Sequence, residues 1–206
     1  MRQILEQPYN MSKKINIKNF DIFALCDPYL YCLAMPGEEN LYDLFMDNVE
    51  DLGHNTSYFE KHNNLMIPYW PAHTGIPADD TSGYARRLRD EALELESELD
   101  NLIDNCDNKT QPDLDDFFKP LEEVPYPLSY HSMKSYGTFS PSMIRIYALK
   151  VEDNCYLIIG CGIKITKAFQ DSPGLENVWT WIEEARDFLK RMNIIDQSSL
   201  EEISKQ

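Results

Sequence analysis

The sequence predicts an α+β fold: an antiparallel β-sheet flanked by helices, with a long acidic helical insertion. Three observations lead there. Residues 143–168 read as two apolar strands joined by the polar turn Glu152-Asp153-Asn154, a hairpin pattern. Residues 82–106 place Leu88, Ala92, Leu95, Leu99, Leu102 and Cys106 in steps of four and three, the stripe of a helix packed along a neighbour. With 43% hydrophobic residues in a chain of 206, there is enough apolar surface to bury a core.

Taken in order, residues 1–14 are expected to be a poorly ordered lead-in, with Met11 readable as an alternative start. Residues 15–206 are read as one domain. Residues 15–35 form two β segments broken at Asp27-Pro28 and closed by Pro36-Gly37. Residues 38–52 set Leu41, Leu44, Phe45, Val49 and Leu52 at helical spacing, with Glu38 and Glu39 in the first turn. No clear period runs through 53–80, which reads as a long ordered loop rich in His, Asn, Pro and aromatics. The helix at 82–106 can be capped by Thr81 or Ser82. Between its apolar positions lie Asp90, Glu91, Glu94, Glu96, Glu98, Asp100 and Asp104, most simply a solvated acidic face.

Past a break at 108–112, residues 113–124 give a short amphipathic turn anchored by Phe117, Phe118 and Leu121. Residues 126–137 suggest a strand. In 143–151 the alternation puts Arg145 and Tyr147 on one side and Ile144, Ile146 and Ala148 on the other. CYLIIG, at 155–160, is apolar throughout and should be central. Leu175, Val178, Ile182, Ala185, Leu189 and Met192 form a second helical stripe, and the tail SSLEEISKQ can add a short last helix.

A net charge of −16 and a pI near 4.5 argue against non-specific coating of nucleic acid, and no DNA binding is expected. They leave room for a local cationic site, because charge is segregated. Residues 90–123 hold thirteen acids against Lys109 and Lys119; residues 129–170 hold five basic residues against Glu152 and Asp153. The cationic block is therefore also the β block. The five cysteines are odd in number, lack CxxC spacing and read as reduced core thiols. No membrane segment or secretory h-region is expected, which points to the cytoplasm. His54, His62 and His73 contain no short ligand pair, so no metal is expected. Walker A, GxGxxG, HExxH and GxSxG patterns are absent from the sequence.

Arg145, Tyr147, Lys164 and Lys167, with Tyr130, His131 and Lys134 on a neighbouring strand, are the residue types that hold a phosphodiester. Arginine and lysine neutralise the charge that grows on phosphate during RNA cleavage, and His, Lys or Tyr can move protons to and from its oxygens. On this basis His131, Lys134, Arg145 and Tyr147 are the candidate catalytic residues, and Tyr130, Lys164 and Lys167 the candidate substrate-binding ones. Equally simple roles stay open: Arg145 can pair with a helix carboxylate, and Lys164 and Lys167 can guard a strand edge.

Arg145-Ile146-Tyr147 within IRIYAL, Gly162-Ile163-Lys164-Ile165-Thr166-Lys167, and Gln170-Asp171-Ser172-Pro173 before the last long helix resemble the RelE/HigB-type toxin superfamily of type II toxin–antitoxin systems. The resemblance covers about 113–192, with a fainter echo at 29–52, and makes 53–112 an insertion. It implies a compact sheet flanked by helices and a cofactor-free toxin that cuts messenger RNA, commonly on the ribosome, under control of a cognate antitoxin. The chain departs from that family in being strongly acidic and longer. In this setting the acidic helix is expected to act as a counter-charge shielding the cationic sheet. The alternative is a non-catalytic acidic interaction protein, an inhibitor or regulator that keeps the fold and docks on a basic partner protein.

Overall fold

The structure, a computed structural model, describes residues 20–66, 69–107, 112–121, 130–136 and 139–205. The expected lead-in at 1–14 lies outside the described residues. Strands β1 (Asp21–Cys26) and β2 (Leu30–Ala34) are followed by helices α1 (Leu41–Glu50), α2 (Leu52–Met66), α3 (Trp70–Thr74) and α4 (Thr81–Asp107). Next come α5 (Leu114–Phe117), β3 (Lys119–Pro120), β4 (His131–Tyr136), β5 (Ile144–Glu152) and β6 (Cys155–Ile163). The chain closes with α6 (Val178–Arg191) and α7 (Gln197–Ser204). The sheet runs β1-β2-β6-β5-β4-β3, antiparallel at every pairing except β2 with β6, which is parallel.

Every residue of β6 is buried, as its unbroken apolar run requires of a strand covered on both faces. The alternation of β5 divides two cores. Ile144, Ile146 and Ala148 pack with the helices of the first half, against Phe59, Tyr84, Leu88 and Leu95. Tyr147, Leu149 and Val151 pack on the other face against Val178, Ile182, Ala185 and Leu189 of α6 and Leu200 of α7. The molecule is thus a sheet between two helical layers, and α4 lies wholly on the first.

Residues 53–80 are not a loop: they hold α2 and α3. The helical stripe is Leu52, Asn55, Phe59, His62 and Met66, in steps of three and four, and two of its members are polar. Asn55 is fully buried, and its Nδ2 donates to the Val49 carbonyl at 2.6 Å, one of the orphan acceptors at the end of α1. Asp51 turns the chain between the helices, accepting from the His54 N–H at 2.9 Å. At the start of α4 the capping oxygen comes from Asp80 rather than Thr81 or Ser82, with Gly83 N–H donating to Oδ1 at 2.8 Å.

Of the cysteines read as reduced core thiols, Cys32, Cys155 and Cys161 are free and buried. Cys26, at the end of β1, is instead disulfide-bonded. Met192 falls just past α6 and is 47% exposed, so the apolar stripe of that helix stops at Leu189.

Asn55→Ala should lower stability by about 1–2 kcal/mol, because it strands a buried carbonyl at the α1 terminus. Urea unfolding followed by circular dichroism measures this, and the m-value should stay unchanged.

Candidate functional site

Paired residues on neighbouring strands share a face of the sheet. Across β4, β5 and β6 this gives the rows Ser132–Leu149–Leu157, Lys134–Tyr147–Gly160 and Tyr136–Arg145–Gly162. A register shift between Tyr147 and Ala148 sets Ile159 and Gly160 together opposite Tyr147, a bulge in β6. Lys164 lies between Ile163 and Ile165, both in the first core, so alternation aims it to the same face as the two glycines. Lys134, Tyr136, Arg145, Tyr147 and Lys164 therefore gather on the α6 side, where β6 contributes no side chain at 160 and 162.

Arg145 is 8% exposed. Its Nη1 donates to the Ser142 carbonyl (3.0 Å), Ser142 Oγ (3.1 Å) and the Ile144 carbonyl (2.5 Å). The guanidinium carbon sits 4.4 Å from the Tyr136 ring centroid, and Lys134 Nζ is 5.5 Å from the same ring on this face. Burial lowers the pKa of Arg145, with Tyr147, Tyr136 and Glu91 opposing. Burial likewise raises that of Tyr147, so its phenol stays protonated near neutrality. Lys164 is pushed down to about 8 by burial first, then by the charges of Arg145 and Lys134. Lys134 Nζ approaches the Leu121 carbonyl at 3.4 Å. Among the described residues, none of Lys134, Arg145 and Lys164 is ion-paired.

The other expected site residues stand apart. His131 pairs with Lys150, which pairs with Tyr156, and so lies on the opposite face from Arg145. The pleat dictates this, since 131 and 134 are an odd number of residues apart. On that face Lys150 bridges Asp115 and Asp153 at 3.1 Å each. Tyr130 precedes β4 with a left-handed φ of 73°, is buried in the second core and donates its hydroxyl to the Ile194 carbonyl. Lys167 is exposed in the bend after β6 and is absent from the groups that shift Lys164. Helix α4, expected to shield the cluster, packs on the other face, and its buried Glu91 is the acid whose charge acts on Arg145.

Three groups were not anticipated. Tyr136, 40% exposed, is two residues after Lys134 and so shares its face. Gly160 and Gly162 place no side chain in this layer. Glu91, 0% exposed, is the acid of α4 that turns inward, and its carboxylate accepts from Ser142, Met143 and Ile144. The signal existed: Tyr84, Leu88, Glu91, Leu95 and Leu99 step by four, three, four and four.

Among the described residues, no group of three or more His, Cys, Asp or Glu is arranged to hold a metal ion. No described helix is long and apolar enough to cross a membrane. Comparisons with protein-family models, curated proteins and solved structures found no match to this chain.

From about pH 8 to 10.5 the unfolded chain keeps a proton that folded Lys164 has released. Its contribution to stability therefore rises with pH across that window and is least favourable below it. Lys164→Met should raise Tm at pH 7 by about 2 °C, and the gain should vanish by pH 10.5. Paired thermal melts at the two pH values test this.

Proposed function

We propose that the chain is a RelE/HigB-like toxin: a cytoplasmic, metal-independent endoribonuclease that cuts messenger RNA and is neutralised by a cognate antitoxin. The observation that carries this reading is the gathering of Lys134, Arg145 and Lys164 on one sheet face, where among the described residues none of them is ion-paired to a carboxylate. Like charges brought together and partly buried repel one another, and an arriving phosphate relieves that repulsion.

The chemistry follows from the groups present. A lysine of pKa about 8 is a free amine in about one molecule in ten at pH 7, against well under one in a thousand at its ordinary value. Lys164 takes the proton from the 2′-OH; the oxygen attacks the adjacent phosphorus, and the bond to the 5′ oxygen breaks. Arg145 neutralises the charge developing on the non-bridging oxygens, and the Lys134 ammonium gives a proton to the leaving 5′ oxygen. The hydroxyl of Tyr147 is sealed from solvent and has no part at the reacting atoms. His131 has no part in this scheme, and Tyr130 and Lys167 none at the reacting atoms. Ribosome-held messenger is the substrate the resemblance implies.

A second reading rests on a different observation. Asp90, Glu98 and Asp100 are exposed on α4, on the side of the sheet away from the cationic cluster. That surface suits a basic partner protein, the antitoxin or another, held by salt-sensitive attraction.

Induced expression of the full chain, with growth and message integrity followed, separates the two. The nuclease reading expects growth arrest and cleaved message. Arg145→Met should reduce cleavage about a hundredfold or more, and wild-type cleavage should persist in chelator. The logarithm of the rate should climb with pH and level off near 8, where Lys164 has lost its proton. Healthy growth with intact message, together with salt-sensitive capture of a basic protein, would leave the acidic-surface reading in its place.

A further inference from the structure

The helical insertion reaches the cationic cluster through a buried contact of Glu91. Glu91 Oε2 accepts from the Met143 N–H at 2.9 Å, and Oε1 accepts from the Ile144 N–H at 3.0 Å and from the Ser142 hydroxyl. A serine hydroxyl has one proton. Directed at the carboxylate rather than at the Ile144 carbonyl, its other acceptor at 3.0 Å, it leaves the Ser142 Oγ lone pairs for Arg145 Nη1, which donates to them at 3.1 Å. The same Nη1 reaches the carbonyls of Ser142 and Ile144, the residues whose backbone brackets the Glu91 contact.

One end of the guanidinium is thereby fixed. Among the described residues Nε and Nη2 of Arg145 have no acceptor, and neither nitrogen is sealed from solvent. These two nitrogens form the side edge of the guanidinium fork, the edge that grips a phosphate or carboxylate with two parallel hydrogen bonds. We infer that Glu91 is a positioning residue: acting through Ser142, it holds Arg145 with its Nε/Nη2 edge presented to an oxyanion. The inference rests on the reading of the cluster as a phosphate site, and it makes α4 part of that site.

Charge supports the assignment. A carboxylate with no exposed surface is costly unless donors and a cation answer it. Burial raises the pKa of Glu91 overall, and the three converging donors and then the charge of Arg145 oppose that push. A plain strand cap needs neither a nearby cation nor the serine between the two residues.

The test is a double-mutant cycle on the full-length protein, with calorimetric titration of inorganic pyrophosphate as the readout. Arg145→Met should weaken binding about tenfold or more. Glu91→Gln should weaken it about fivefold, and the double variant should bind no worse than Arg145→Met alone, as expected when one residue acts through the other. If the two losses instead multiply, Glu91 serves the fold only and the inference falls. Should Glu91→Gln fail to fold by circular dichroism, Ser142→Ala takes its place in the same cycle with the same expected outcome. Absence of pyrophosphate binding in the wild type would overturn both this inference and the phosphate site beneath the nuclease reading. A coupled cycle with uncut RNA would overturn the nuclease reading and leave Glu91 as the residue that positions Arg145.

Discussion

The Glu91 carboxylate is a buried joint between the two halves of this molecule, beside the bonds of Trp70 to the Ile165 carbonyl and of Arg87 to that of Pro141. It accepts two successive backbone N–H groups at the entry to β5 and a hydroxyl from the residue before them. The entry to β5 fixes where Arg145 begins its side chain, and β5 pairs with both β4 and β6. An acidic helix can be docked against a sheet by apolar contacts alone, and Leu88 and Leu95 supply those. Apolar contacts tolerate sliding; a carboxylate with three specified donors does not, so the register of α4 on β5 is set by Glu91.

The cluster also shows how local and global electrostatics compete. A net charge of −16 should favour protonated lysines everywhere. Lys164 nonetheless has its pKa lowered, by burial and by two cations at close range. Range decides the outcome. Exposed carboxylates farther off than about 8 Å are largely screened at physiological salt, whereas half-buried neighbours act through a medium that screens little. Lys150 is the internal control. It sits on the other face, bridged to Asp115 and Asp153, and hydrogen bonds and charge from those acids raise its pKa. Lys150 in β5 and Lys164 just past β6 are thus driven in opposite directions, Lys164 chiefly by burial with two cations adding to it, and Lys150 by the two carboxylates beside it.

How much of this could be read beforehand follows from where the information lies. The β5–β6 hairpin and its two faces were legible, because strand alternation is local and strict. That same rule separates His131 from Lys134 and joins Tyr136 to Arg145, so the composition of the site was present in the spacing once β4 was placed. Helix α2 was not legible as an apolar stripe because Asn55 and His62 occupy stripe positions, one of them to satisfy a carbonyl of the preceding helix. The parallel pairing of β2 with β6 brings together residues more than a hundred apart in sequence, and no local pattern encodes it. Glu91 was visible as an acid on an apolar stripe; what it meets belongs to another part of the chain.

The division of charge between the two faces has a consequence for any polyanion that approaches. Exposed carboxylates of α4 face one hemisphere, and the unpaired cations lie beyond the sheet on the other. On the nuclease reading, an RNA strand meets repulsion on the first side and the cluster on the second, so the exposed acids of α4 orient the encounter while its buried Glu91 bears on the cluster itself. Tyr136, exposed beside Arg145 and Lys134, then offers an unpaired base a ring to stack on at the edge of the phosphate position. A duplex would hold its bases away from that ring. On the nuclease reading the arrangement favours single-stranded segments, and it does so by geometry, without a large positive surface that would hold the chain on nucleic acid of every kind.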